Sequence, residues 1–245
     1  MAKGPDHTPA APAPTEPATT SARSEIEAFL AQVRTLAPAD TSGRRGRLIF
    51  ALDATMSRQP TWDTACRLQA DMFREAGAIG GLDVQLVYFR GLGECRASRW
   101  VSDAGALAAT MAKIDCRGGN TQIGKVLAHA RREGEKGKVA ALVYVGDAME
   151  EDVDVLCRTA GELGMLGVRA FVFHEGHDAV AERAFRDIAR LSGGAYCGFN
   201  AGAANELAAL LRAAAAYAAG GLKALDDLSA RRHAGATRLL AQMRP

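Results

Sequence analysis

The sequence predicts a three-layer α/β/α sandwich around a mostly parallel sheet with one antiparallel edge strand. Three observations carry this. Short apolar runs rich in Val, Phe and Tyr recur at 48–53, 83–89, 139–147 and 168–176. They are nearly continuous, as strands buried on both faces of a parallel sheet are. Segments with helical spacing separate them, which is the βαβ rhythm of a doubly covered sheet. The length of 245 residues, with 48% hydrophobic and 24% charged, suits one well-buried domain of roughly 200 residues with a tail to spare.

Taken in order, residues 1–21 hold five of the eight prolines, with Ala and Thr between them. Such a segment buries too little apolar surface to offset its ordering cost and reads as a disordered tail. Over 22–37, Ser24 and Glu27 have the capping-box spacing, and Ile26, Phe29, Leu30, Val33 and Leu36 follow at helical intervals. Pro38 stops this amphipathic helix, and an Arg-rich linker completes the segment 22–45. The domain proper is expected over 46–219. Its first strand, LIFALD, ends in an acid. Trp62, Ala65, Leu68, Gln69, Met72 and Phe73 mark a helix over 61–77. The run 83–89 pairs with a more mixed edge strand, 94–101, through a turn containing Gly91 and Gly93. Asp103 is placed to cap a helix over 103–114. Further helices are expected over 121–133, 151–164, 178–192 and 203–219, with a last short strand at 195–199. The remainder, 220–245, is charged and weakly periodic and reads as an extension, either a short helix or a frayed tail.

Composition excludes several classes. Thirty Lys and Arg against 28 Asp and Glu leave +2, which argues against nucleic acid or an anionic membrane as partner. No apolar run has transmembrane length, and no apolar core follows the first residues as in a secretory signal, so a cytoplasmic location is expected. The five cysteines, at 66, 95, 116, 157 and 197, form no CxxC pair. This is neither a disulfide framework nor a typical structural zinc site.

Open α/β sheets bind ligands beyond the carboxyl ends of their strands. Polar residues that packing does not require gather there. Strand one ends Asp53-Ala54-Thr55-Met56-Ser57, the run 139–147 ends Gly146-Asp147, and the loop before helix 121–133 reads Gly118-Gly119-Asn120-Thr121. Alternation in Asp53-x-Thr55-x-Ser57 lets a curled loop aim three side chains at one point. Gly118 and Gly119 permit left-handed φ and close backbone approach. Two carboxylates and three hydroxyls are an oxygen-only donor set, which suits a hard divalent cation with a position left for water or an incoming carboxylate. Taken singly, each piece also reads as a cap or a turn.

In this order, these residues resemble the metal-ion-dependent adhesion site of von Willebrand factor type A domains, with a match over roughly 46–219. That family's pattern is DxSxS with a later Thr and a later Asp. The resemblance implies that Thr55 and Ser57 ligate through their hydroxyls, that Thr121 ligates directly in one conformational state, and that Asp53 and Asp147 act mainly through water. It implies Mg²⁺, with Mn²⁺ as an alternative, and a partner protein whose Glu or Asp completes the shell. The departure is Thr55 for the first Ser, which keeps the hydroxyl and adds a methyl. Small bacterial cytosolic members of the family often serve in multi-protein assemblies, some beside ATPases or stress-resistance systems, so the resemblance allows an assembly with an ATPase but does not imply which assembly applies.

Rim contacts to the partner are expected from Gly119, Asn120, Glu150, His174 and His177, and Trp62, near the start of the helix after the first loop, reads either as a rim contact or, as is commoner for Trp, as a core anchor. The sequence HEGH at 174–177 is not a HExxH zinc motif and has no evident third ligand. Glu150, Glu151, Asp152 and Asp154 form the negative start of a helix, favourable to its dipole. No catalytic constellation stands out, and the chain is read as a binding module. A Mg²⁺-dependent phosphatase or phosphotransferase of haloacid-dehalogenase type is the enzyme alternative, but Thr55 stands where its second acid belongs. Ser57 lacks a G-x-S-x-G elbow. A metal-free scaffold using the same surface is the other alternative.

Overall fold

The computed structural model describes residues 45–200 and 203–243. The expected tail over 1–21 and helix over 22–37 lie outside the described residues. Six strands form one sheet: β1 (Gly46–Asp53), β2 (Leu82–Arg90), β3 (Glu94–Val101), β4 (Ala141–Gly146), β5 (Arg169–Glu175) and β6 (Ala195–Phe199), in the order β3-β2-β1-β4-β5-β6. All neighbours are parallel except β2 and β3, which pair antiparallel through the expected turn. The helices are α1 (Gln59–Gly77), α2 (Ala104–Met111), α3 (Ile123–Lys136), α4 (Val153–Met165), α5 (Ala179–Ser192), α6 (Ala204–Ala230) and α7 (Ala234–Met243), with a 3-10 turn at Met56–Arg58 before α1.

The pleat explains why the strands read as unbroken apolar runs. Leu48, Phe50 and Leu52 of β1 face one cluster with Trp62, Met72, Leu107 and Leu211, while Ile49 and Ala51 face the other with Val126, Leu127, Leu156 and Phe185. Both faces are covered, so both sets of alternate positions must be apolar. Asp103 caps α2 as expected, its side chain accepting from the Ala106 N–H at 2.8 Å. Asp152 caps α4 and Asp178 caps α5 in the same way.

Residues 220–243, read from the sequence as a charged extension, are helical and packed. Gly221 takes φ +67° and kinks α6. The chain then resumes as helix and buries Leu225, Ala236 and Leu239 completely. Gln242 lies along the outer edge of β6: its Oε1 accepts from the Tyr196 N–H at 2.9 Å and its Nε2 donates to the Tyr196 carbonyl at 2.7 Å. The side-chain amide thus pairs with an edge residue as a neighbouring strand would, which blunts an otherwise open edge.

Candidate functional site

The strand order places the site. The chain leaves β1 for β2 on one side and later returns to lay β4 on the other. The crevice at this reversal, beyond the carboxyl ends of the strands, is where open sheets bind ligands. Asp53 closes β1 and Asp147 follows β4. Leu52 pairs with Val145, so the two acids emerge from adjacent strand ends.

Local bonding shapes the first loop. Asp53 Oδ1 accepts the Thr55 N–H at 2.7 Å, which curls the chain, and the 3-10 turn then sets Thr55 Oγ1 and Ser57 Oγ 3.3 Å apart. Asp53 and Thr55 are buried and Ser57 is exposed. The loop before α3 is tied to its neighbours at several points. Arg117 N–H donates to the Ala54 carbonyl at 2.9 Å, and Asn120 N–H donates to the Gly91 carbonyl at 3.3 Å. Gln122 Nε2 reaches the carbonyls of Arg90 and Gly91. Neither Gly118 nor Gly119 uses the left-handed φ that glycine permits. Gly119 is required for closeness alone, because a Cβ there would overlap the backbone of Gly91, whereas Gly118 faces open space.

Thr121 is buried and bonded reciprocally to Glu150: its Oγ1 accepts the Glu150 N–H, and its own N–H donates to Glu150 Oε2, each at 3.2 Å. Glu150 therefore clips the Thr121 loop to the loop after β4, and it stays exposed at the rim with Gly119 and Asn120. Glu151 accepts the N–H groups of Ile123 and Gly124 at the start of α3, satisfying donors that a helix leaves open.

Two sequence-predicted rim residues are not at the rim. Trp62 is 2% exposed and packs edge-on against Tyr88. His174 is fully buried because β5 runs on through Glu175. Its alternation turns it toward Phe185 and Tyr196, where Nδ1 meets the Tyr196 hydroxyl at 2.9 Å and Nε2 meets the Asp147 carbonyl at 3.2 Å. It supports the Asp147 loop from below. Burial holds its imidazole below the ordinary range, against opposing bonds and charges from Asp147, Glu182 and Asp178. His177 is exposed, as expected.

The structure also shows two charged residues that the sequence reading did not place in the site. Arg58, directly after Ser57, is 3% exposed. Its Nη2 donates to Glu175 Oε2, and its Nη1 lies 3.5 Å from Asp147 Oδ2. Glu175, also buried, accepts in addition from the Thr61 hydroxyl. Charge accumulates accordingly. Burial pushes the Asp53 carboxyl up to about 6, the Thr55 bonds oppose the rise, the Asp147 charge adds to it and Arg58 offsets it. Cys116, behind the loop, is raised to about 11, chiefly by burial and then by Asp53.

Among the described residues no three His, Cys, Asp or Glu gather as a metal-binding group, so any cation here depends on hydroxyl donors. The donor set fits a hard divalent ion: paired hydroxyls on Thr55 and Ser57, a third on Thr121, and carboxylates on Asp53 and Asp147, all oxygen. The buried Tyr144 hydroxyl, which feels the charges of Asp53 and Asp147, lacks a hydrogen-bond partner. A buried carboxyl raised to about 6 is also a group that a cation would favour in its charged form.

No protein-family model matches the sequence, and no curated protein matches it. Solved structures do resemble the fold. A von Willebrand factor type A protein from Catenulispora acidiphila superposes with a TM-score of 0.56 at 17% identity, covering 72% of this chain and 43% of its own. The SpRpn10 VWA domain gives 0.51 at 15% identity, covering 64% of this chain and 89% of its own. An aerotolerance-related membrane protein from Bacteroides fragilis gives 0.52 at 17% identity, over 69% of this chain and 98% of its own. The match thus spans under half of the Catenulispora protein. The six-stranded sheet, mostly parallel with one antiparallel strand and flanked by helices, is the von Willebrand factor type A fold. Among the described residues no helix is long and apolar enough to cross a membrane.

Proposed function

We propose that this chain is a protein-interaction module that loads a divalent cation, Mg²⁺ or Mn²⁺, on Asp53, Thr55, Ser57, Thr121 and Asp147, and binds a partner through an acidic side chain that completes the shell. The observation that carries the reading is the 3.3 Å approach of the Thr55 and Ser57 hydroxyls beside the buried Asp53 carboxylate. Domains of this fold commonly serve in protein interaction, which supports a binding role over catalysis. When bound, the cation supplies a Lewis-acidic position for an anionic oxygen. The chain's own residues orient the hydroxyls, hold Asp147 from below through His174, and clip Thr121 to Glu150. An assembly that includes an ATPase, in a cytoplasmic setting, belongs to this proposal.

The test is calorimetric titration of Mg²⁺ and Mn²⁺ into metal-stripped protein, beside Asp53→Ala and Asp147→Ala. Saturable one-to-one binding, lost in both variants with the fold retained, is the expected result. One observation favours a second reading, a metal-free scaffold: Arg58 already supplies a positive charge to Asp147. Partner capture that is insensitive to chelator would select that reading.

A further inference from the structure

We infer that Arg58 is a positioning residue that competes with the incoming cation for Asp147, and that Glu175 restrains this competition. The inference rests on the cation-loading reading above. It is carried by the fork of one buried guanidinium across two carboxylates, with one arm on Glu175 and the other 3.5 Å from Asp147 Oδ2. Only 3% of Arg58 is exposed, so bulk solvent does little to screen its charge. Its Nε is buried without a partner. The side chain is therefore held by its two acids rather than by a complete set of hydrogen bonds, and a guanidinium in this position is tuned by the balance between those acids.

Charge arithmetic shows what the fork does. Asp53, Asp147 and Glu175 contribute three negative charges and Arg58 one positive. Arg58 and Glu175 cancel as a close pair, which leaves two aspartates to balance one divalent ion. An Asp147 oxygen already beside a guanidinium is partly satisfied, so a cation must share it or draw it away. Glu175 works against Arg58 here. It takes Nη2 and is itself fixed by the Thr61 hydroxyl of α1, which keeps the guanidinium from turning wholly onto Asp147. Removing the fork frees Asp147, and neutralising Glu175 alone releases Arg58 toward Asp147. The two changes act on cation affinity with opposite signs, a pattern that loss of packing does not produce.

The experiment is Mn²⁺ titration followed by electron paramagnetic resonance, on the metal-stripped full chain. The proteins are the wild type, Glu175→Gln, and the double variant Arg58→Met with Glu175→Gln, each with and without Asp53→Ala. The double variant avoids leaving Glu175 as an unpaired buried charge, and thermal unfolding checks the fold. Arg58→Lys is the second route, since it keeps the charge but cannot fork across both acids. The double variant removes a positive and a negative charge together and leaves the net charge unchanged, so its gain comes from freeing the Asp147 oxygen now 3.5 Å from Arg58 Nη1, and it is expected to bind severalfold more tightly. Arg58→Lys should also tighten binding, Glu175→Gln should weaken it, and Asp53→Ala should abolish it throughout. Wild-type binding that is lost in Asp53→Ala, with either sign failing among the other variants, overturns the inference and leaves the cation-loading reading intact. Absence of any Asp53-dependent binding in every protein overturns both.

Discussion

Asp53→Asn provides the sharpest test of the site's electrostatics. The substitution keeps an oxygen to accept the Thr55 N–H, now made at 2.7 Å, and removes only the charge. Asp53 is 3% exposed, and its carboxyl stands at about 6 in place of the ordinary 3.8, with burial the largest cause. The difference corresponds to about 3 kcal/mol. The sign follows from linkage. Between 3.8 and about 6 the folded chain binds the proton more tightly than the unfolded chain, so stability falls as pH rises through that window. Below it the penalty is absent, and above it the penalty is complete. In chelator at pH 7.5, Asp53→Asn should therefore unfold at higher urea than the wild type, by up to about 3 kcal/mol, and the gain should vanish near pH 3.5. Saturating Mg²⁺ should stabilise the wild type, by about 2.7 kcal/mol at a hundredfold excess over Kd, and leave the variant unmoved. Equal stability of wild type and Asp53→Asn in chelator at pH 7.5 would refute the claim that this carboxylate is held charged at a cost.

Three further outcomes are expected. Gly119→Ala should cost about 1–3 kcal/mol in thermal unfolding, because its Cβ would overlap Gly91, while Gly118→Ala, facing open space, should cost far less. Thr55→Ser should retain Mn²⁺ binding in calorimetry and Thr55→Val should lose it, since only the hydroxyl beside Ser57 offers an oxygen. Leu239→Ala, at a fully buried position of α7, should lose about 2–5 kcal/mol in urea unfolding, whereas Gln242→Ala should lose about 1–3 kcal/mol and show concentration-dependent association by light scattering, because Tyr196 is then open at the sheet edge.

Most of the fold is legible from residue pattern because the sheet is covered on both faces. Burial on both sides demands apolar residues at consecutive positions, and runs such as LIFALD have no other economical use. The exception is instructive. The Gly220-Gly221 pair looks like the end of the last helix, and Gly221 does break helical geometry at φ +67°. The break is local. Leu225, Leu228, Leu239 and Leu240 beyond it keep a buried face, but the charged residues between them dilute the signal, and no local rule says that this stretch must lie along β6. Gln242 on Tyr196 is a contact across 46 residues, which only the folded sheet edge defines.

The site divides along the same line. Asp53, Thr55, Ser57 and Asp147 are readable because strand-end chemistry is local and the strand order does the rest. Arg58 and Glu175 are not readable, since they meet across 117 residues and charged side chains are ordinarily solvated. The available signal was parity. If β5 continues through Glu175, then His174 falls on the face of Ala170 and Val172, while Glu175 falls on the face of Phe171 and Phe173, toward α1. That alternation buries His174 under Asp147 and aims Glu175 at the helix that carries Thr61 and follows Arg58. A buried acid at that position calls for a buried base, and the first residue after the hydroxyl loop provides it. The metal-ligand pattern is therefore only part of the site's charge balance. The rest is the ion pair of Arg58 with Glu175, whose second arm lies 3.5 Å from Asp147 Oδ2 and, by our inference, sets how readily that aspartate is released to a cation.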